Sequence, residues 1–166
     1  MSSLLRCLTI RAYTSTDWQA VRAICLEAFT PIHEGFASAL GTELFSLVYP
    51  NWKASSESYL RSLCETGERQ RILVAELDGA VVGFIHYELT REKASGQLGL
   101  NAVHPSHQGK GIGARMYARV FEILRAEGMK FARVDTGGDE AHIPARRAYQ
   151  KSGFTPIPVV HYFKRL

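Results

Sequence analysis

A chain of 166 residues that is 46% hydrophobic and 22% charged is long enough for one domain with a single core and too apolar for disorder. Its net charge of +4 suits an anionic ligand. The Lys and Arg residues are scattered, with no basic stripe interleaved with aromatics, so nucleic acid is not expected as a partner.

No run approaches the roughly 20 apolar residues that cross a bilayer. Met1-Ser2-Ser3-Leu4-Leu5-Arg6 lacks the apolar core of a signal peptide. Residues 1–166 are therefore read as a single domain, cytoplasmic and without a membrane partner. Cys7, Cys25 and Cys64 form no Cys-x-x-Cys and are widely spaced; Cys25 and Cys64 sit among apolar residues at helical spacing and read as core thiols, which suits a reducing compartment.

In chain order, Leu4 to Tyr13 reads as a first strand. Thr16 and Gln19 form a capping box, and Trp18, Val21, Cys25, Ala28 and Phe29 follow at helical spacing. Thr30-Pro31-Ile32-His33-Glu34-Gly35 is expected to break that helix. A second helix then runs from about Ala37 to Val48, with Pro50 ending it, and a third from about Ser56 to Glu65. Arg71–Leu77 and Ala80–Leu89 are apolar strands joined by Asp78-Gly79, a preferred hairpin turn. Gly96–Val103 is another strand. A helix from near Gly109 carries Ile112, Met116, Val120 and Leu124 on one face, and Gly128 stops it. Lys130–Thr136 reads as a strand, Pro144–Lys151 as a helix, and Gly153-Phe154 as the start of a terminal strand pair reaching Lys164. This order gives an α/β chain with a mixed sheet.

The informative segment is Gln108-Gly109-Lys110-Gly111-Ile112-Gly113, between a strand and an amphipathic helix. A helix N-terminus leaves about four backbone N–H groups unpaired and carries roughly half a positive charge. Glycines let phosphate oxygens approach those groups, and Lys110 adds a cation, so the segment suits a diphosphate. A P-loop is excluded, because Gly-x-x-x-x-Gly-Lys-Ser/Thr is absent. Gly109-x-Gly111-x-x-Ala114 formally satisfies the dinucleotide fingerprint, with Asp135 at the end of the next strand as a ribose ligand. Against it, His104-Pro105-Ser106-His107-Gln108 makes the turn too long. Too little chain also follows Gly113 for a doubly wound sheet. His104 and His107 lack a third ligand, and no metal is assigned.

Val103-His104-Pro105-x-x-Gln108-Gly109-Lys110-Gly111-Ile112-Gly113 resembles the acetyl-CoA signature of the GNAT superfamily of N-acetyltransferases. Ala145-Arg146-Arg147-Ala148-Tyr149-Gln150-Lys151-Ser152-Gly153-Phe154 resembles its second motif, a helix with Tyr ahead of Gly-Phe. The resemblance implies a mixed, mostly antiparallel sheet of about seven strands flanked by helices, with two strands splayed around acetyl-CoA as co-substrate. It places pantetheine along Asn101, Ala102 and Val103, and the pyrophosphate on the amides of Gln108, Gly109, Lys110, Gly111, Ile112, Gly113 and Ala114. His142 stands where many relatives carry Asn, to touch pantetheine or start the helix.

The implied reaction is direct attack of a primary amine on the thioester in a ternary complex, and a non-catalytic acyl-CoA-binding module is the alternative. Tyr149 would protonate or stabilise the leaving sulfur. The strand Ser95–Val103 lacks the carboxylate that many relatives use as base. Glu34 is the first candidate, with Asp135 and Glu88 behind it. Phe36, Phe45, Tyr49 and Trp52 can line a pocket for a small amine or peptide end, or serve as core. An exposed terminal strand leaves a homodimer open.

Overall fold

The computed structural model describes residues 7–65 and 70–166. Its elements in chain order are β1 Leu8–Ala12, α1 Trp18–Val48, α2 Trp52–Glu65, β2 Gln70–Leu77, β3 Ala80–Thr90, β4 Ser95–Val103, α3 Ile112–Ala126, β5 Phe131–Val134 and α4 Ile143–Lys151. The strands form one sheet in the order β1-β2-β3-β4-β5, with antiparallel pairing throughout except between β4 and β5.

The central strands read as unbroken apolar runs because helices cover both faces. On one side Leu73, Ala75, Ile85 and Leu98 pack with the α3 stripe of Ile112, Met116, Val120 and Leu124 and with Tyr149 of α4. On the other side Ile72, Val74, Phe84 and Ala102 pack with Val21, Ile24 and Cys25 of α1 and Leu60 and Leu63 of α2. Successive strand residues serve opposite layers, as the two-residue period requires.

One irregularity shapes the site. Ile85 faces Asn101 and Tyr87 faces Leu98, so Gly99 and Leu100 of β4 together oppose His86 of β3. This β-bulge bends its strand and raises the local twist. The β4–β5 ladder runs from Ser95↔Phe131 to Leu98↔Val134 and stops there, at the bulge. Beyond it, β4 from Gly99 to Val103 has no strand partner on its β5 side among the described residues.

Several expectations are corrected. The sheet has five strands among the described residues, not about seven. The terminal strand pair does not form, and residues 155–166 carry no regular structure. Pro156 and Pro158 remove two N–H donors from the same edge of any strand there, which weakens it as a ladder partner. The start of the first predicted strand, Leu4 to Arg6, lies outside the described residues. Helix α1 does not break at residues 30–35. It runs through Pro31, with Thr30 Oγ1 bonding Leu26 O at 2.7 Å, and bends at Gly41. Gly41 has φ 74°, a conformation that side chains oppose.

Helix α2 begins four residues before the predicted Ser56, at Trp52. The capping interaction belongs to Thr14 and Asp17, not Thr16 and Gln19. The Thr14 amide donates to Asp17 Oδ2 at 2.8 Å, and the Arg11 guanidinium donates to both Asp17 oxygens at 2.8 Å each. Those bonds hold the Asp17 carboxyl below its ordinary range, at about 2.

Candidate active site

The end of β4 beyond the β5 ladder carries Asn101 at the centre of a hydrogen-bond network. Its Nδ2 donates to Gly99 O at 2.9 Å and to the Tyr149 hydroxyl at 3.1 Å, and its Oδ1 accepts from the Tyr117 hydroxyl at 3.0 Å. Three elements therefore meet at one amide: the bulged strand, α3 through Tyr117 and α4 through Tyr149. The two phenol rings lie 5.3 Å apart. Burial raises the Tyr149 hydroxyl above its ordinary pKa, with the Asn101 and Tyr117 bonds pulling the other way. Burial, the neighbouring Tyr149 and their shared bond drive Tyr117 well above the usual phenol range. Both phenols are protonated at neutral pH. Asn101 was expected to act through its backbone; its side chain is the organising group. Tyr117 was hidden in the apolar stripe of α3, and the only sequence signal for it is a hydroxyl beside Met116 on that buried face.

From Val103 the chain enters the glycine turn. Pro105–His107 makes a short helical turn, and α3 opens at Ile112 with Gly111 as its N-cap. Gly109 and Gly111 have φ 74° and 81°, so the turn is left-handed at both positions. The amides of Ile112, Gly113 and Ala114 have no acceptor within the helix, as for any first turn. Gln108 does not offer its amide, which donates to Pro105 O at 3.3 Å, and its side chain bonds Val103 O at 3.0 Å. Lys110 Nζ donates to Ser106 O at 2.9 Å and stays exposed at the mouth of the turn. His104 bonds Ser106 and pairs with Glu27 of α1 at 3.3 Å, while His107 also contacts Ser106, so both histidines brace the loop. Free amides, a left-handed glycine turn, a lysine and an open strand edge fit a ligand with a diphosphate and an amide-bearing arm.

The other expected positions separate. Glu34 is exposed on α1, and its neighbour His33 turns inward. His33 stacks on Trp52 at 4.0 Å, with Phe36, Phe45 and Tyr49 edge-on, and its Nδ1 is buried without a partner. Burial and nearby His142 lower the His33 pKa. The four aromatics thus pack around an imidazole. Phe36 brings the cluster within 6.3 Å of His142, so it lies beside the start of α4.

His142 caps that helix and bonds Asp139 Oδ2 at 2.6 Å. Burial opposes ionisation of Asp139, and the His142 bond outweighs it, leaving the carboxyl below its usual range. Arg146 pins the segment Gly137–Glu140, donating to Gly137 O at 2.7 Å and Asp139 O at 2.6 Å. Asp135 is held by Arg133 at 2.8 Å on the surface, and Glu88 lies 3.7 Å from His86.

A family model described as "Acetyltransferase (GNAT) family" matches residues 37–154. The chain belongs to the GNAT acetyltransferase family. Among solved structures, this GNAT chain is similar to a family acetyltransferase from Brucella melitensis in complex with acetyl-CoA. That match has 25% identity, covers 90% of this chain and 83% of the other, and has a TM-score of 0.58. It also resembles the ribosomal-protein-S18-alanine N-acetyltransferase of Escherichia coli, at 19% identity, 91% and 79% coverage and a TM-score of 0.67. Among curated proteins it matches a mycothiol acetyltransferase of Beutenbergia cavernae, 33% identical over 49% of this chain. The chain spans only about a quarter of that relative's length, 27%.

Proposed function

We propose that this chain moves the acetyl group of acetyl-CoA to a primary amine of a small molecule or peptide, by direct attack in a ternary complex in the cytoplasm. The observation that carries this reading is the Tyr149 hydroxyl held by Asn101 on the strand edge that leads into the glycine turn. Pantetheine would lie along Asn101, Ala102 and Val103, with its diphosphate at the amides of Gly109 to Ala114. The thioester would then sit beside Tyr149. A similar ribosomal-protein-S18-alanine N-acetyltransferase and a similar family acetyltransferase in complex with acetyl-CoA support the same chemistry.

The electrostatics favour one role for Tyr149. A free thiol has a pKa of about 8.5 and an ordinary phenol about 10, and burial moves Tyr149 further up. Full proton transfer from phenol to thiolate is uphill. Tyr149 therefore acts as a hydrogen-bond donor to the departing sulfur, and the proton that completes the thiol comes from the amine. Two of the three thiols are poorly suited to a covalent acetyl-enzyme. Cys25 is buried on the α1 side with its pKa pushed up to about 12, and burial raises Cys64 as well.

The test is a melting-temperature titration with coenzyme A, acetyl-CoA and NAD in parallel. Thiol release from acetyl-CoA is then followed with an aminoglycoside, a peptide with a free N-terminal alanine and simple primary amines. Ligand at ~100 times its dissociation constant stabilises a fold by roughly 2.7 kcal/mol. Both coenzyme A forms should shift the melting point, NAD should not, and at least one amine should accelerate thiol release. Binding without acceleration by any amine would support the non-catalytic module, and no binding of either form would remove the cleft assignment altogether.

A further inference from the structure

Acetylating an amine at neutral pH requires a group that takes a proton from the acceptor ammonium, and β4 carries no carboxylate to do so. The structure offers an imidazole instead, at the start of the helix that carries Tyr149. His142 holds the N-cap position of α4, yet its side chain makes no capping bond. The ring is turned to Asp139, with Nδ1 2.6 Å from Oδ2. Asp139 is ionised and can only accept, so Nδ1 carries the proton and Nε2 the lone pair. Among the described residues Nε2 has no hydrogen-bond partner and is not sealed from water, in contrast to both nitrogens of His86. The side chain keeps 15% of its surface exposed.

The turn is built around that pair. A Cβ on Gly137 would stand 2.3 Å from Asp139 Oδ2 and 2.3 Å from His142 Nδ1, so only glycine leaves room for it. Gly137 has no left-handed φ that would require glycine for the turn itself. Arg146, one turn along α4, fixes the backbone by its bonds to Gly137 O and Asp139 O. Asp139 Oδ1 is buried without a partner, which costs about 1–3 kcal/mol and is not called for by a helix start alone.

Helix geometry relates this nitrogen to the donor at sulfur. Seven residues of α4 put the Cα atoms of His142 and Tyr149 about 10 Å apart and within about 20° of one face. Helical side chains lean toward the N-terminus, so the Tyr149 phenol points back toward His142. A phenol about 3 Å from sulfur and a base about 3 Å from the amine nitrogen, with those two atoms about 3 Å apart on one carbon, stand up to about 9 Å from each other. Two turns of α4 span that distance. The Tyr149 hydroxyl also bonds Asn101 on the edge of β4 beyond the β5 ladder, so the face of α4 that carries both rings is the one turned to that edge. Phe36 of α1 lies 6.3 Å from the imidazole and brings the aromatic cluster to the same place.

We propose that His142 is the catalytic base of acetyl transfer, taking the proton of the acceptor ammonium on Nε2, with Asp139 as its positioning partner. The proposal rests on the acetyltransferase reading above. The ammonium gives one proton to Nε2, and the imidazolium then passes it to solvent. The freed lone pair on nitrogen forms the N–C bond. Collapse breaks the C–S bond with the electron pair leaving on sulfur, and a second amine proton completes the thiol. Amide, coenzyme A and one released proton are the products. The charged and titratable groups around the ring are Asp139 and the exposed Glu140 on its own turn, His33 on α1 and Arg146 on α4.

The decisive variant is His142→Asn, because Asn is a good N-cap and keeps a polar group beside Asp139. A ring that only starts the helix would lose neither stability nor kcat by this change. As the base, His142 should be worth about 100-fold or more in kcat, with melting point and coenzyme A affinity nearly unchanged. At saturating acetyl-CoA, with the amine of the panel that is acetylated fastest, wild-type kcat/KM should fall on the acid side as the ring protonates. His142→Asn should lose that limb, and Asp139→Asn should move it to lower pH, because the carboxylate that favours the charged ring is gone. An NMR titration of the His142 imidazole with coenzyme A bound should coincide with the limb. A His142→Asn enzyme with wild-type kcat, whether or not its coenzyme A binding is weakened, overturns the base and leaves the acetyltransferase reading standing. So does an acid limb that survives the substitution, or an imidazole titration that does not match it. A wild type that binds coenzyme A but acetylates no amine removes both.

Discussion

Replacing Gly99 by alanine sets a methyl against a ring that cannot yield. The new carbon would stand 2.2 Å from His86 Nδ1 and 3.0 Å from Cε1. An ordinary contact is about 3.5 Å, so the overlap with Nδ1 is about 1.3 Å. His86 is fully buried, so the ring has no solvent into which to swing, and the strands must part instead. Overpacking of this kind costs about 1–3 kcal/mol. At roughly 2–4 °C per kcal/mol for a chain of this size, the melting point should fall by about 2–12 °C.

Because Asn101 lies two residues along the same strand, a displaced bulge also misplaces the partner of Tyr149. A misplacement of about 1 Å is worth up to about 100-fold in rate. The assays are thermal unfolding of the free protein and thiol release at saturating acetyl-CoA. Adding His86→Ala should restore much of the lost stability, giving a coupling of about 1 kcal/mol or more between the two sites. A Gly99→Ala protein that melts within about 1 °C of the wild type, or a strictly additive double mutant, would refute the keyed bulge.

Three further outcomes are expected. Tyr149→Phe should lower kcat by about 100- to 1000-fold, the scale of one transition-state donor, with coenzyme A affinity nearly unchanged; a loss under threefold would leave Tyr149 a packing residue. Gly111→Ala meets no atom within 4 Å, so its cost comes from the left-handed φ of 81° alone. That is about 1–2 kcal/mol by unfolding, together with weaker coenzyme A binding, and an unchanged melting point would contradict it. Asp17, lowered from 3.8 to about 2, contributes about 2 kcal/mol that is complete above pH 3.8 and lost as pH falls through 2. Acid titration of the unfolding free energy should show that loss in the wild type and not in Asp17→Asn.

Much of this protein is written locally. The Asp78-Gly79 hairpin, the α3 stripe, the left-handed glycine turn and the Tyr149 helix each follow from short-range pattern, and each element appears within a few residues of its expected bounds. Long-range matters followed only from packing. Pro31 lies inside a helix whose preceding turn Thr30 Oγ1 ties to Leu26 O, while the bend falls at Gly41. The prolines at 156 and 158 sit in the segment read as a terminal strand pair.

The site divides in the same way. The residue types for binding a diphosphate are contiguous, so their spacing is readable. Asn101, Tyr117 and Tyr149 come from three separate elements, and α1 turns His33 inward and Glu34 outward. The bulge at Gly99 arises from a mismatch between two strands that neither strand's own pattern reveals. Local rules act over one turn or one strand, whereas the meeting of a phenol, an amide and a buried imidazole depends on how the sheet twists and which helices cover it.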